Sequence, residues 1–238
     1  MTLAQRRRLP RWALVALAVT VTTALFVAVL GWRTSSDQET RSDGPLYLGF
    51  MDGQYTSDPP EEDVEEWWHS YATAFLCLNE KAEGVRVTGV ELITRGGPRP
   101  IDSEVVVRTV TSSDLVDETV LTDLVMASYG RANEPVLPYA PEPVYETGQF
   151  SGPEGIEVTR TCEEIEDPNG GMRVPVQEVI VSLLSPAGGA VVDSVEVNYE
   201  VEGEKYRFVR NFRMIQCGPT VKAEIRSRFD EAETVCDR

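Results

Sequence analysis

Catalysis by a serine or cysteine nucleophile needs a base, and the chain has a single imidazole for that role. His69 is the only histidine among the 238 residues, so a Ser-His-Asp or Cys-His site would have to include it. No serine lies in the G-x-S-x-G pattern of a nucleophile elbow. His69 directly follows two tryptophans near the end of a predicted helix, where a surface or capping role is expected. The sequence therefore predicts no catalytic residue and a protein that is not an enzyme.

Clustered acidic side chains are the second group that could do chemistry, because carboxylate and amide oxygens are the ligands that calcium prefers. The candidate ligands are Glu164, Glu166, Asp167 and Asn169, which precede a Gly-Gly turn. Their spacing lacks the D-x-[DN]-x-[DN]-G pattern of a calcium loop, so we expect a solvated acidic turn with no bound metal and no other cofactor. Paired carboxylates also hydrolyse glycosides, but 39 acidic residues produce such pairs by chance.

Two adjacent tryptophans, Trp67 and Trp68, follow the acidic run at 61–66 and form the candidate binding site. Neighbouring residues on a helix point in different directions, so one indole can be buried while the other serves as an exposed anchor. The alternative is that both indoles pack into the domain, as tryptophans usually do. The acidic surroundings favour a basic protein or an envelope component as the partner.

An apolar run from Trp12 to Trp32 contains 21 residues without a charge. As a helix it would measure about 31 Å, which matches the hydrocarbon thickness of a bilayer. Four arginines precede the run and one follows it, which places the N-terminus in the cytoplasm. The run is longer than the core of a cleavable signal peptide and ends in a poor cleavage site. The sequence thus predicts a single-pass membrane protein with a basic cytoplasmic tail (1–11), a transmembrane helix (12–32), a flexible linker (33–44) and an extracytoplasmic domain (45–238).

Charge is distributed unevenly between the N-terminal segment and the predicted outer domain. The formal net charge is −17, and residues 1–33 contain five arginines and no acid, so the remainder carries −22. An outer domain this acidic should repel nucleic acid and anionic lipid surfaces. It should attract basic partners, and it also keeps an exported domain soluble.

Four cysteines, Cys77, Cys162, Cys217 and Cys236, all fall in the predicted outer domain. An even number of cysteines in an oxidising compartment is typical of two disulfides. None forms a C-x-x-C pair, which argues against a zinc knuckle or a thioredoxin-type site. Three pairings are open. Cys162 and Cys217 lie in predicted strands 55 residues apart, a spacing that suits a bridge between two sheets. We therefore expect Cys162–Cys217, with Cys77–Cys236 as the other pair.

Alternating apolar residues predict a mainly β outer domain. The clearest strand is Val195–Val201, and further strands are predicted at 104–111, 174–184 and 206–217. Short strands with turns about every ten residues are typical of an antiparallel β-sandwich, immunoglobulin-like in class. The tryptophan expected between the two bridge cysteines of that class is absent.

Other segments predict the connections between these strands. Asp58-Pro59-Pro60-Glu61 resembles a helix start, so a minor helix is expected near 60–68. A strand at 71–77, a turn at 79–84 and Val85 and Val87 predict a hairpin. Residues 113–129 fit a helix or a strand, and 156–162 predicts another strand. The proline-rich segment 131–153 predicts a linker between two halves, 45–130 and 154–238.

These patterns predict a non-catalytic module that binds a partner or associates with the cell envelope. A cation-dependent or enzyme-accessory domain is the first alternative, because the acidic turn at 163–169 could respond to calcium. A hydrolase that uses two carboxylates is the second.

Overall fold

Runs rich in valine, isoleucine and aromatic residues form β-strands in the described part of the chain, since such side chains pack well on a pleated surface. In the computed structural model the described residues are 42–49, 53–60, 64–115, 120–121, 127–132, 148–168, 171–228 and 236. They belong to one unit that spans Thr40–Arg238. No helix in these ranges is long and apolar enough to cross a bilayer, and the predicted anchor at 12–32 lies outside them.

The largest sheet has six antiparallel strands. They are β1 (Leu46–Gly49), β3 (Glu66–Leu78), β5 (Asp102–Val110), β7 (Ala127–Tyr129), β8 (Gln149–Ser151) and β11 (Val176–Pro186). The order across the sheet is β1-β3-β11-β5-β8, and β7 also pairs with β3. Because β11 lies between β3 and β5, strands from both predicted halves of the domain are interleaved in this sheet.

A second sheet has four antiparallel strands in the order β14-β13-β4-β9. Their bounds are β4 (Val85–Ile93), β9 (Glu157–Val158), β13 (Ser194–Val201) and β14 (Glu204–Arg210). A type I′ turn needs positive φ at both central residues, and the hairpin between β13 and β14 meets this with Glu202 at 52° and Gly203 at 85°. The predicted strand at 195–201 and the turn after it are confirmed.

Smaller elements complete the domain. A three-stranded sheet contains β2 (Gly53–Ser57), β12 (Ala190–Val192) and β15 (Phe212–Gln216), with β2 and β15 parallel. A two-stranded sheet pairs β6 (Val120–Leu121) with β10 (Met172–Arg173). The helices are α1 (Cys162–Ile165) and α2 (Pro219–Arg228).

One apolar core joins the three larger sheets. It contains Tyr71 and Val181 from the six-stranded sheet, Val87 and Val197 from the four-stranded sheet, and Phe212 from β15. On β13 the residues Val195, Val197 and Tyr199 are buried, as the alternating pattern predicts. The mainly β, antiparallel prediction is thereby confirmed for the described residues.

The helix predicted near 60–68 is wrong from Glu66 onward, where β3 begins. The capping signals at 58–61 act locally, whereas β3 pairs with β11 at nine positions and with β1 and β7 on its other edge. Residues 61–63 lie outside the described ranges. Sheet pairing and burial therefore outweigh the local helix preference.

The predicted hairpin of 71–77 with 85–87 is also wrong. Both strands exist, but β3 pairs within the six-stranded sheet and β4 pairs with β13 and β9 in the four-stranded sheet. The turn at 79–84 therefore carries the chain from one sheet to the other. Most of the ambiguous segment 113–129 and of the proline-rich segment 131–153 lies outside the described residues, apart from β6, β7 and β8 and their neighbours.

All four cysteines are bonded, as predicted, but the expected pairing is wrong. The disulfides are Cys77–Cys162 and Cys217–Cys236, and no cysteine is free. Cys162 lies on α1 and not on a strand, because Thr161 caps the helix and the strand predicted at 156–162 ends at Val158. A parallel bridge between Leu78 and Thr161 brings α1 beside the end of β3, where Cys77 lies.

Candidate functional site

The two candidate tryptophans lie at the start of β3 and face opposite sides of the sheet, since successive side chains alternate along a strand. Trp67 is 2% exposed and belongs to the core. Trp68 is partly exposed. The two indoles thus differ in exposure because they lie on opposite faces of a strand, and not because of the helix that the sequence predicts. Trp67 is not an exposed anchor.

Trp68 lies next to an arginine and a carboxylate, and we call these three side chains the Trp68 surface. The guanidinium of Arg131 lies 5.0 Å from the centroid of the indole. The same guanidinium pairs with Glu104 at 3.0 Å. Just before Arg131, the amide of Gly130 donates to the carbonyl of Trp68 at 2.9 Å, which holds the segment after β7 against β3. The arrangement offers an aromatic plane with a cation and an anion beside it.

His69 points to the opposite side from Trp68 and is only 5% exposed. Its ring lies 4.8 Å from the ring of Tyr71 and 5.0 Å from that of Tyr129. Neither ring nitrogen has a hydrogen-bond partner. Burial lowers the pKa of His69 from 6.5 to about 4. The predicted surface or capping role is wrong, because the residue lies on the core face of a strand and not at a helix end.

The two tyrosines that contact His69 each form a hydrogen bond, one with the last residue of β2 and one with the residue after it. The hydroxyl of Tyr71 lies 2.8 Å from Oγ of Ser57. The hydroxyl of Tyr129 donates to the carbonyl of Asp58 at 3.0 Å. Burial raises the pKa of both phenols, so both are neutral wherever His69 titrates. We call His69, Tyr71 and Tyr129 the His69 cluster.

The acidic turn uses its side chains for local structure. The carboxylate of Glu164 accepts from the backbone of Thr161 at 2.9 Å in a capping box, and this hydrogen bond lowers the pKa of Glu164. Asp167 accepts from Arg173 at 3.0 Å. Glu166 ends α1, and Asn169 lies outside the described residues. Within the described ranges no three His, Cys, Asp or Glu side chains are placed to hold a metal ion together.

An open cleft that the sequence did not reveal lies beside this turn. It measures about 690 Å³ and is lined mainly by the turn at 79–84, the β13–β14 turn and α1. Its carboxylates belong to Glu80, Glu83, Glu164 and Glu202, with the amino group of Lys81 3.8 Å from Glu164. The cleft attracts cations. The turns that form it are far apart in the sequence, so no local sequence motif predicts it.

Sequence reasoning also missed a buried ion pair in the six-stranded sheet. Arg108 on β5 lies directly opposite Glu178 on β11, and its Nε donates to the carboxylate at 2.9 Å. The side chains are 3% and 1% exposed. Burial raises the pKa of Glu178, and the neighbouring guanidinium opposes that shift. The sequence signal for this pair was one charged residue within each of two mostly apolar runs, Val105–Val110 and Val176–Ile180.

Comparison with known proteins adds no relative to this description. No family model matches the chain, and no curated protein and no solved structure matches it.

Proposed function

We propose that the chain is a single-pass membrane protein whose extracytoplasmic domain, an immunoglobulin-like β-sandwich, binds a protein or an envelope component without catalysing a reaction. The observation that carries this proposal is the complete pairing of the four cysteines. Structural disulfides persist in oxidising compartments, so a domain with two of them belongs outside the cytoplasm. The arginine-flanked apolar run at 12–32 supplies the anchor and the orientation.

The shared core supports the sandwich. Alternate residues of the four-stranded sheet, such as Val195, Val197 and Tyr199, share one cluster with buried residues of the six-stranded sheet, as in two sheets packed face to face. The turn at 79–84 carries the chain from one sheet to the other, which is the usual route in sandwich folds. Neither disulfide joins the centres of the two large sheets, so the likeness to immunoglobulin domains concerns architecture and not the cysteine pattern.

The Trp68 surface supports the binding role. Partly exposed tryptophan and arginine are the residue types that most often dominate binding energies. Glu65 and Glu66, both exposed, precede the tryptophan pair and add acidic groups near it. Acidic groups near an exposed aromatic side chain favour a basic partner and speed its approach at low salt. The buried, neutral His69 gives this surface no base for catalysis.

Substituting Trp68→Ala tests the binding role. We expect the partner's Kd to rise by about 30-fold or more, as for a central hot-spot residue. The free energy of unfolding should fall by less than the about 3–5 kcal/mol expected for a fully buried tryptophan, since the indole is partly exposed. The partner is captured by crosslinking on cells that display the full chain, and its affinity for each variant is then measured.

Tyr47→Ala is the matched control for this substitution. Tyr47 is an aromatic residue, 38% exposed, on the separate strand β1. Its truncation should leave the affinity for the partner unchanged. Equal losses of affinity in Trp68→Ala and Tyr47→Ala, or no loss in Trp68→Ala, would contradict the proposed surface.

A further inference from the structure

We propose that β7 is an acid-released strand: protonation of His69 detaches Ala127–Tyr129 from β3 and moves Arg131 away from Trp68. Acid would thereby remove Arg131 from the face of the Trp68 indole. The release of β7 stands on the geometry of the His69 cluster alone, whereas the consequence for a partner rests on the binding role proposed above. Hydrogen exchange tests the release of β7 without a partner, so its failure is distinguishable from failure of the binding role.

The first support is the position of the imidazole between two phenol rings. His69 is buried, contacts Tyr71 and Tyr129, and has no hydrogen-bond partner at either nitrogen. A cation in this place would have neither water nor an acceptor at its two N–H groups, and burying such a charge is costly. The closed structure therefore excludes the protonated ring, while an opened structure accepts it in water. Protons then bind more tightly to the open state.

Among the described residues that pack on the His69 ring, none presents a charged group that would stabilise an imidazolium. On β3 the neighbours are Tyr71 and Trp67; on β7 the neighbour is Tyr129. On β11 the residue opposite is Leu183, whose carbonyl accepts from the neutral amide of Gln216 on β15. After β2, Asp58 reaches the cluster through its backbone carbonyl, bound to Tyr129. Burial is accordingly the cause that lowers the pKa of His69 to about 4.

β7 is the element that would open, because it is the shortest strand paired with β3. It pairs with β3 at three positions, one of them Tyr129 opposite His69, whereas β11 pairs with β3 at nine. Short edge elements open at a lower free energy than central strands. Arg131 lies two residues after Tyr129, so movement of β7 displaces the guanidinium from the indole. One strand thus connects a core histidine to the outer surface.

The size of the effect follows from the two pKa values. The pKa of His69 is 6.5 for the exposed ring and about 4 for the buried ring. The equilibrium constant for opening of β7 should therefore rise about 20-fold between pH 7 and pH 5. The sign is fixed: the lowered pKa stabilises the closed state above pH 6.5, and this advantage is lost as the pH falls towards 4.

Hydrogen exchange on the full chain measures this opening directly. The reporters are the amides of Gly130, which donates to Trp68, and Ala132, which donates to Oγ of Ser182. After correction for the intrinsic exchange rate, both should exchange about 20-fold faster at pH 5 than at pH 7, while the hairpin of β13 and β14 does not change. His69→Gln should remove the pH response.

Two controls replace the carboxylates that touch this segment. Glu104→Gln removes a charged partner of Arg131, and Asp58→Asn removes the charge beside Tyr129; both variants should keep the pH response. A response that survives in His69→Gln, or that disappears in either control, overturns the proposal. Since His69 is the only histidine, ¹⁵N spectra of its ring add a test that needs no variant. The ring should stay neutral to a lower pH than an exposed histidine, and a ring that takes up its proton at the ordinary histidine pKa of 6.5 overturns the proposal.

Discussion

Replacing Cys77 and Cys162 together by alanine is expected to lower the free energy of unfolding by about 4.5 kcal/mol, because the disulfide closes a long loop in the unfolded chain. The two residues are 85 positions apart. In the entropic description of disulfides, a loop of that length restricts the unfolded ensemble more than any local contact could. Urea unfolding of the full chain in detergent measures the loss.

The second disulfide supplies the comparison. Cys217 and Cys236 are 19 positions apart, so their replacement should cost about 3 kcal/mol. The ranking matters more than either value, because both variants lose the same chemical groups. Equal losses, or a larger loss for Cys217→Ala with Cys236→Ala, would contradict the loop-length explanation. Peptide mapping without reduction should recover the two linked pairs and no Cys162–Cys217 peptide.

Breaking the buried ion pair should have an effect of similar size. Arg108→Ala or Glu178→Ala leaves the other charge in a place where the side chains are 3% and 1% exposed. Removing one partner of such a pair costs about 3–5 kcal/mol, mostly as the penalty for the charge that stays buried.

The matched control replaces both charges at once. Arg108→Met with Glu178→Leu keeps the volume and removes both charges, so its stability should return close to that of the natural chain or exceed it. Thermal and urea unfolding compare the three variants. Additive losses in the double variant would show that the two side chains act independently, contrary to the geometry.

The strands could be predicted from the sequence where the pattern is local. On β13 polar residues alternate with valines, and this period of two places the valines in the core whatever the rest of the chain does. The same reasoning located most of β5 and β11. It succeeded at 71–77 but failed at 66–68, where Asp58-Pro59-Pro60-Glu61 predicts a helix, because the pairing of β3 with distant β11 is invisible to a local pattern.

In the candidate sites, too, the sequence predicts what depends on local pattern and misses what depends on contacts between distant segments. That four cysteines form two disulfides followed from their number, whereas the pairing depends on Leu78 and Thr161 meeting across 83 positions of chain. The sequence misplaces His69 and leaves open which of Trp67 and Trp68 is buried, because a helix and a strand distribute neighbouring side chains differently. The Arg108–Glu178 pair needed the register between β5 and β11, which no single segment contains.

The exported and anchored topology is tested most directly by the state of the cysteines in cells. Cells that produce the full chain are treated with a membrane-permeant alkylating reagent, and the protein in each fraction is weighed by mass spectrometry before and after reduction. We predict that the protein is in the membrane fraction, that none of the four cysteines is alkylated before reduction, and that all four become alkylated after it. Free thiols in the native protein, or protein found in the soluble fraction, would contradict an anchored domain outside the cytoplasm.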